Sequence, residues 1–256
     1  MSMKLLIRNL FNTKFGIFLR NFLGIRPKYF LVNFNAKELS ISDAFFWRTD
    51  NNFKTLFKFT NILSFFYNDK DSHIEIIFYD KNNKFLKKIL KENIILSDEL
   101  LIDKFFLEGI EDFGVFYIFH KTQNLHNSII RNSCYVGYSK DNNLASFVHG
   151  NVTSATSDFS GNVITFGISC RSLFKNQKYI VQNYFADYDK TELLIHNSSN
   201  KRIFFLINKI NYKLNPGCSI VIDIGKDNTA RIISNSYLLR PIIINYKSNF
   251  IDVYHG

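Results

Sequence analysis

The chain has 256 residues, long enough to bury a sizeable core, and its 46% hydrophobic content excludes a wholly disordered protein. Aromatic residues make up 16%, with 28 Phe and 13 Tyr, which suits β-structure, and only three Pro leave turn-making to Asn, Asp, Ser and Gly. The net charge is +10, but Lys4, Arg8, Lys14, Arg20, Arg26 and Lys28 crowd an acid-free stretch from Met1 to Phe30, leaving only +4 on the rest and weakening a nucleic-acid reading.

Residues 1–26 are apolar but broken by a basic residue every few positions, so no run approaches the roughly 20 residues of a spanning helix. A secretory signal is also not indicated, because no small-residue cleavage site follows. On a helical wheel Ile7, Leu10, Phe11, Phe15, Phe18, Phe22 and Ile25 gather on one side. Such a helix would either lie on an anionic membrane surface or pack on its own domain. Pro27 ends it, and Tyr29–Phe34 reads as a first strand.

The stretch 42–50 holds the only Trp, in Phe46-Trp47-Arg48. Phe, Ile, Lys and Asn all have A/T-rich codons and abound here, so a Trp-Arg pair carries more information than another Phe or Lys. Trp47 would stack on a planar ligand face while Arg48 pairs with a carboxylate or phosphate. The alternative is a core Trp beside an Arg that neutralises Asp43 or Asp50.

Short apolar runs then recur as predicted strands: Leu56–Phe59, Leu63–Tyr67, His73–Tyr79, Phe85–Leu90, Ile94–Leu96, Glu99–Asp103 and Gly114–His120. Asp80–Lys84 is a hairpin turn. The middle section is the densest in Tyr, Arg, His, Asn and Gly. It runs through Tyr135–Tyr138 and Ala145–Asn151, then a predicted loop at 153–162, and a strand Val163–Ser169 before Arg171. Loops carrying such groups on a rigid scaffold are where sites usually sit. Further strands follow at Leu193–Ile195, Ile203–Ile207, Tyr212–Leu214, Ile220–Asp223, Ala230–Ile233, Ile242–Tyr246 and Phe250–His255.

The two halves echo one another. Asn61 matches Asn197, Glu99–Asp103 matches Ser219–Asp223, and His120 matches His255. The first and third spacings nearly agree and the second is shorter, so a duplicated domain is one reading.

Catalytic signatures are missing. There is no phosphate-loop Gly-Lys-Ser/Thr, no GxGxxG, no GxSxG and no HExxH, and Cys134, Cys170 and Cys218 lack metal-ligand spacing. The cysteines read as free thiols in a reducing compartment. His149 is the best single candidate for site chemistry: it ends a strand before Gly150, where φ > 0 would expose the imidazole, and Asn151 adds an amide. Its other reading is a histidine closing a hairpin.

The order of apolar strand, Asn-Ser turn, apolar strand, Leu-x-Pro-Gly and apolar strand over Leu193–Asp223, and more faintly Phe57–Asp103, resembles small β-sandwich domains of the sensory-rhodopsin-transducer, carbohydrate-binding type. The resemblance implies ligand binding without catalysis and carries over no binding residue.

The expected fold is all-β: a basic amphipathic segment (1–27) and two antiparallel β-sandwich units (28–125 and 126–256). The expected function is a non-catalytic ligand-binding or accessory protein. Its ligand would be a glycan or sugar-phosphate, held by Trp47, Arg48, Tyr135, Tyr138, His149, Asn151 and Arg171. No cofactor, metal or nucleic acid is expected. The protein would be cytoplasmic, peripheral at the inner membrane face through residues 1–27. The alternatives are an enzyme of sugar or cell-surface polysaccharide metabolism using His149 as acid or base, and a protein–protein interaction module.

Overall fold

A computed structural model describes residues 7, 9–11, 13–22, 40–124, 130–131, 134–150, 153–157, 163–165, 176–182, 188–198, 202–226, 229–236 and 239–256. The chain is mostly strand. Helix α1 (Lys14–Phe22) carries no acid in its first turn, and Phe15 and Phe18 on it are exposed. The predicted strand Tyr29–Phe34 lies outside the described residues.

In chain order the strands are β1 (Ser40–Asp43), β2 (Phe45–Arg48), β3 (Phe53–Thr60), β4 (His73–Asp80), β5 (Phe85–Lys91), β6 (Ser97–Ile102), β7 (Phe113–Lys121), β8 (Ile130–Arg131), β9 (Tyr135–Lys140), β10 (Ser146–His149), β11 (Thr153–Ser157) and β12 (Val163–Thr165). Then come β13 (Gln177–Gln182), β14 (Lys190–His196), β15 (Ile203–Ile207), β16 (Ile210–Leu214), β17 (Ser219–Gly225), β18 (Thr229–Ser234), β19 (Ile242–Lys247) and β20 (Phe250–His255).

The first sandwich faces sheet β10-β9-β3-β6 against sheet β2-β7-β4-β5. On β3 alternate residues Phe53, Thr55, Phe57 and Phe59 turn inward, the period-2 pattern of a strand with one core face. Phe57 meets the ring of Phe116 edge-on at 4.7 Å and lies 4.9 Å from Phe45. The second sandwich faces β17-β14-β19-β20 against β13-β18-β15-β16 over a core that includes Leu193, Ile195, Phe205 and Ile232.

These two sandwiches repeat one topology. Strand β3 pairs with β6 and β9 as β14 pairs with β17 and β19, and β7 lies between β2 and β4 as β18 lies between β13 and β15. The match reaches single residues. Asn61 N donates to Leu96 O just before β6, and Asn197 N donates to Cys218 O just before β17. The Asn61 side chain donates to Ile94 O at 3.1 Å, and that of Asn197 to Leu214 O at 3.0 Å. The third sequence match fails. His120 is on β7, whereas His255 ends β20, paired with Ile242 as His149 on β10 is paired with Tyr135. The counterpart of His255 is His149.

The first sandwich also takes in β9 and β10, beyond residue 125, and a further sheet β12-β11-β1-β8. Strand β1 is continuous with β2 through buried Ala44 and leaves the β7 ladder, but its serines keep β7 satisfied. Ser42 Oγ accepts from Ile118 N and Ser40 Oγ from His120 N, both at 2.8 Å. The Ser/Thr-rich loop predicted at 153–162 contains a strand, β11, paired with β1. The predicted strand Leu63–Tyr67 is a helix, α2 (Ile62–Tyr67). Asn61 Oδ1 accepts from Ser64 N at 3.2 Å to cap it, and left-handed Asn68 ends it, so local capping outweighs the β-like composition. Residues 94–96 lie just before a strand rather than in one.

Because Asn61 both ties the β3 end to the β6 approach and caps α2, Asn61→Ala should cost about 1–3 kcal/mol. Asn197→Ala, which loses the equivalent bond to Leu214 O, should also lower the urea midpoint. A midpoint unchanged in either variant would contradict the shared role.

Candidate functional site

The five predicted site residues that lie among the described residues do not meet in one cleft. Trp47 is 0% exposed. Its indole Nε1 donates to Tyr79 O at 2.8 Å, and it lies opposite Gly114, where a Cβ would come within 2.8 Å of that nitrogen. A side chain at Gly114 would meet both Tyr79 O and the indole, so Trp47 is a close-packed core residue and has no face for a sugar. Tyr138 is equally buried and donates to Phe46 O at 3.1 Å. Asn151 and Arg171 lie outside the described residues.

Arg48 is buried where the sandwiches meet. Its Nε donates to Asp50 Oδ1 at 2.6 Å, its Nη1 to Glu192 Oε2 and, at 3.2 Å, to the Tyr246 hydroxyl, while Phe53 covers the guanidinium at 4.2 Å. Burial by itself disfavours the charge, but Asp50, Tyr246 and Glu192 outweigh it and raise the pKa of Arg48. For Glu192, burial pushes the carboxyl up while Arg48 and Lys190 pull it below its usual value. Arg48 therefore joins the units, and it neutralises Asp50 as one of its sequence readings had it.

Tyr135 and His149 do come together, their rings 4.4 Å apart at the end of the β9–β10 hairpin remote from its turn. Both are exposed, and His149 O faces His255 Nε2 at 2.9 Å. Gly150 has no positive φ; it is glycine because a Cβ would meet the Phe45 ring at 2.5 Å.

A cleft of the first sandwich lies at the opposite end of that hairpin. It has a volume of about 390 Å³, and its walls come from the β2–β3 connection, the β6–β7 loop and the β9–β10 turn. Asn52, Lys54, Asp103, Lys104, Phe105, Glu111, Asp141 and Asn142 are among the residues that line it. Asn52, Asp141 and Asn142 all have positive φ, which Asn and Asp tolerate better than other side-chain-bearing residues. Asn143 N donates to Lys140 O across Asp141 and Asn142, a tight turn of the primed kind that suits a hairpin. Asn52 Nδ2 donates to Asp141 Oδ1 at 2.9 Å and Lys54 Nζ to Asn142 Oδ1 at 2.7 Å, so the two walls are tied. Phe105 projects at 80% exposure, with Lys104 Nζ 5.8 Å from its ring centroid. None of these residues was singled out from sequence.

No family model and none of the curated proteins matches the chain. Among solved structures it aligns with the M60 catalytic domain with the CBM51-1 and CBM51-2 domains from Clostridium perfringens ZmpB. That alignment is 6% identical with a TM-score of 0.20, and covers 84% of this chain and 34% of that one. At that score the likeness carries no argument about function.

Burial pushes His120 and His196 down to about 4. His196 sits between Tyr117 Oη, at 3.3 Å, and Ser219 Oγ, at 3.1 Å, again at the contact of the two sandwiches. A depressed histidine pKa means the fold holds the neutral ring, so its contribution is complete above the unfolded value near 6.5 and is lost as pH falls towards 4. Each should remove about 1.4 kcal/mol per pH unit inside that window. The urea midpoint is expected to drop between pH 6.5 and 4.5, and His196→Gln should flatten the slope. A midpoint constant over that range would contradict both assignments.

Proposed function

We propose that the protein is a non-catalytic glycan-binding accessory protein whose ligand sits in the Phe105 cleft. The carrying observation is a ring exposed at 80% beside the tied amides, ammonium groups and carboxylates of one 390 Å³ cleft. A sugar offers an apolar C–H face and a rim of hydroxyls that both donate and accept. Phe105 supplies the apolar platform, Asn52 and Asn142 supply groups of both kinds, Lys54 donates, and Asp103 and Asp141 accept. The combination favours a neutral sugar over a sugar-phosphate, because Lys54 and Lys104 are offset by Asp103, Glu111 and Asp141. Phe105→Ala should weaken binding to a glycan array hit about tenfold, the scale of one lost aromatic contact, with the urea midpoint unchanged because the ring is exposed. Equal binding by the variant overturns the assignment.

The reading also places the protein at an anionic membrane surface. Leu10, Phe15 and Phe18 of the amino-terminal segment are each more than half exposed, beside the six basic residues of an acid-free stretch. Among the described residues no helix is long and apolar enough to cross a membrane. An apolar stripe flanked by Lys and Arg suits the interface plane, at about 1 kcal/mol per basic residue near the surface. Full-length protein should co-sediment with phosphatidylserine-containing vesicles in a salt-sensitive way, and protein lacking residues 1–27 should not. Equal sedimentation of the two would remove the membrane from the proposal.

A further inference from the structure

A second hollow adjoins the first. It has a volume of about 280 Å³, and its walls are the β9–β10 turn of the first sandwich and the β19–β20 turn of the second. Asp141 lines both hollows. Asn143 Nδ2 donates to Asn249 O, so the two turns are joined directly. They are counterparts in the repeat: Lys140 and Lys247 end equivalent strands, and both Asp141 and Ser248 have positive φ. Phe250 stands 53% exposed just beyond the second turn. A platform on Phe105 is thus followed by the polar groups of Asp141 and Asn142, then those of Ser248 and Asn249, and then a second platform on Phe250.

We infer that the two hollows form one groove across the same rim of both repeats, and that its ligand is an extended neutral oligosaccharide rather than a single sugar. The inference rests on the glycan reading of the Phe105 cleft and adds its ligand class. The charge balance supports a neutral chain: Lys54, Lys104 and Lys140 stand against Asp103, Glu111 and Asp141 over the whole groove. An anionic polymer would need a clear excess of cations. The repeat supplies the reason for length, because two linked half-sites bind one continuous chain with the second contact made intramolecular.

The test is calorimetric titration with neutral linear series from disaccharide to hexasaccharide, namely malto-, cello- and chito-oligosaccharides. For the series that binds, affinity should rise with length, and Phe250→Ala should cut the hexasaccharide-to-disaccharide affinity ratio about tenfold. Asn249→Trp, which fills the second hollow from an exposed position, should cut the ratio in the same way and guards against a variant that fails for reasons of folding. Equal affinity at every length, with Phe105→Ala still weakening all of them, overturns the shared groove and keeps the cleft as a single-sugar site. No binding by any series overturns both.

Discussion

Sheet β17-β14-β19-β20 is covered on both faces, and the arrangement of the molecule follows from that. Leu193, Ile195 and Ile243 point into the second sandwich, while Leu194, Ile242 and Ile244 belong to the core of the first. A sheet buried on both sides needs solid apolar runs instead of alternation, which is why Leu193-Leu194-Ile195 and Ile242-Ile243-Ile244 lack polar interruptions. The polar atoms that do enter this contact must be matched within it. Arg48 meets Glu192 and Tyr246, and Tyr117 meets His196. Leaving one member of a buried ion pair alone costs about 3–5 kcal/mol, so the Arg48 cluster fixes the relative placement of the sandwiches more than it adds net stability.

With the scaffold repeated, the differences between the repeats become informative. The β3–β4 connection of the first sandwich holds α2, and its β6–β7 connection runs over residues 103–112, against only 226–228 at the equivalent place in the second. Asp103, Lys104, Phe105 and Glu111 all come from that longer loop. The cleft therefore takes four of its ten lining residues from a connection that is far shorter in the second repeat. The same insertions explain why sequence spacings between the halves drift, and why Asn61 and Asn197 match while His120 and His255 do not.

Strands and turns were legible from sequence wherever apolar runs, alternating as along β3 or solid as along β4 and β14, are bounded by tight turns. The failures have two causes, one local and one long-range. Asn61 and Asn68 turned an apparent strand into α2. Thr153–Ser157, rich in loop-forming residues, became β11 because β1 offered it an unpaired edge, a long-range fact with no local trace.

That Trp47, Arg48 and Tyr138 are core and interface residues has a more specific explanation. Trp47 and Arg48 drew attention because they are rare in a chain dominated by Phe, Lys, Ile and Asn. Rarity marks a residue that is hard to replace, but it does not distinguish a ligand contact from a packing or charge-pairing role. Here the indole fills the space over Gly114 and the guanidinium joins two sandwiches, and both roles are as exacting as binding. The proposed groove is built from Phe105, Phe250, Lys54, Asn52 and Asn142, all of kinds that abound in the chain, together with Asp141. What sets these residues apart is exposure of a ring, a left-handed turn, or a bond across a cleft, and each of those is a property of position. In a composition this biased, the scaffold carries the unusual residues and the proposed groove is built mainly of ordinary ones.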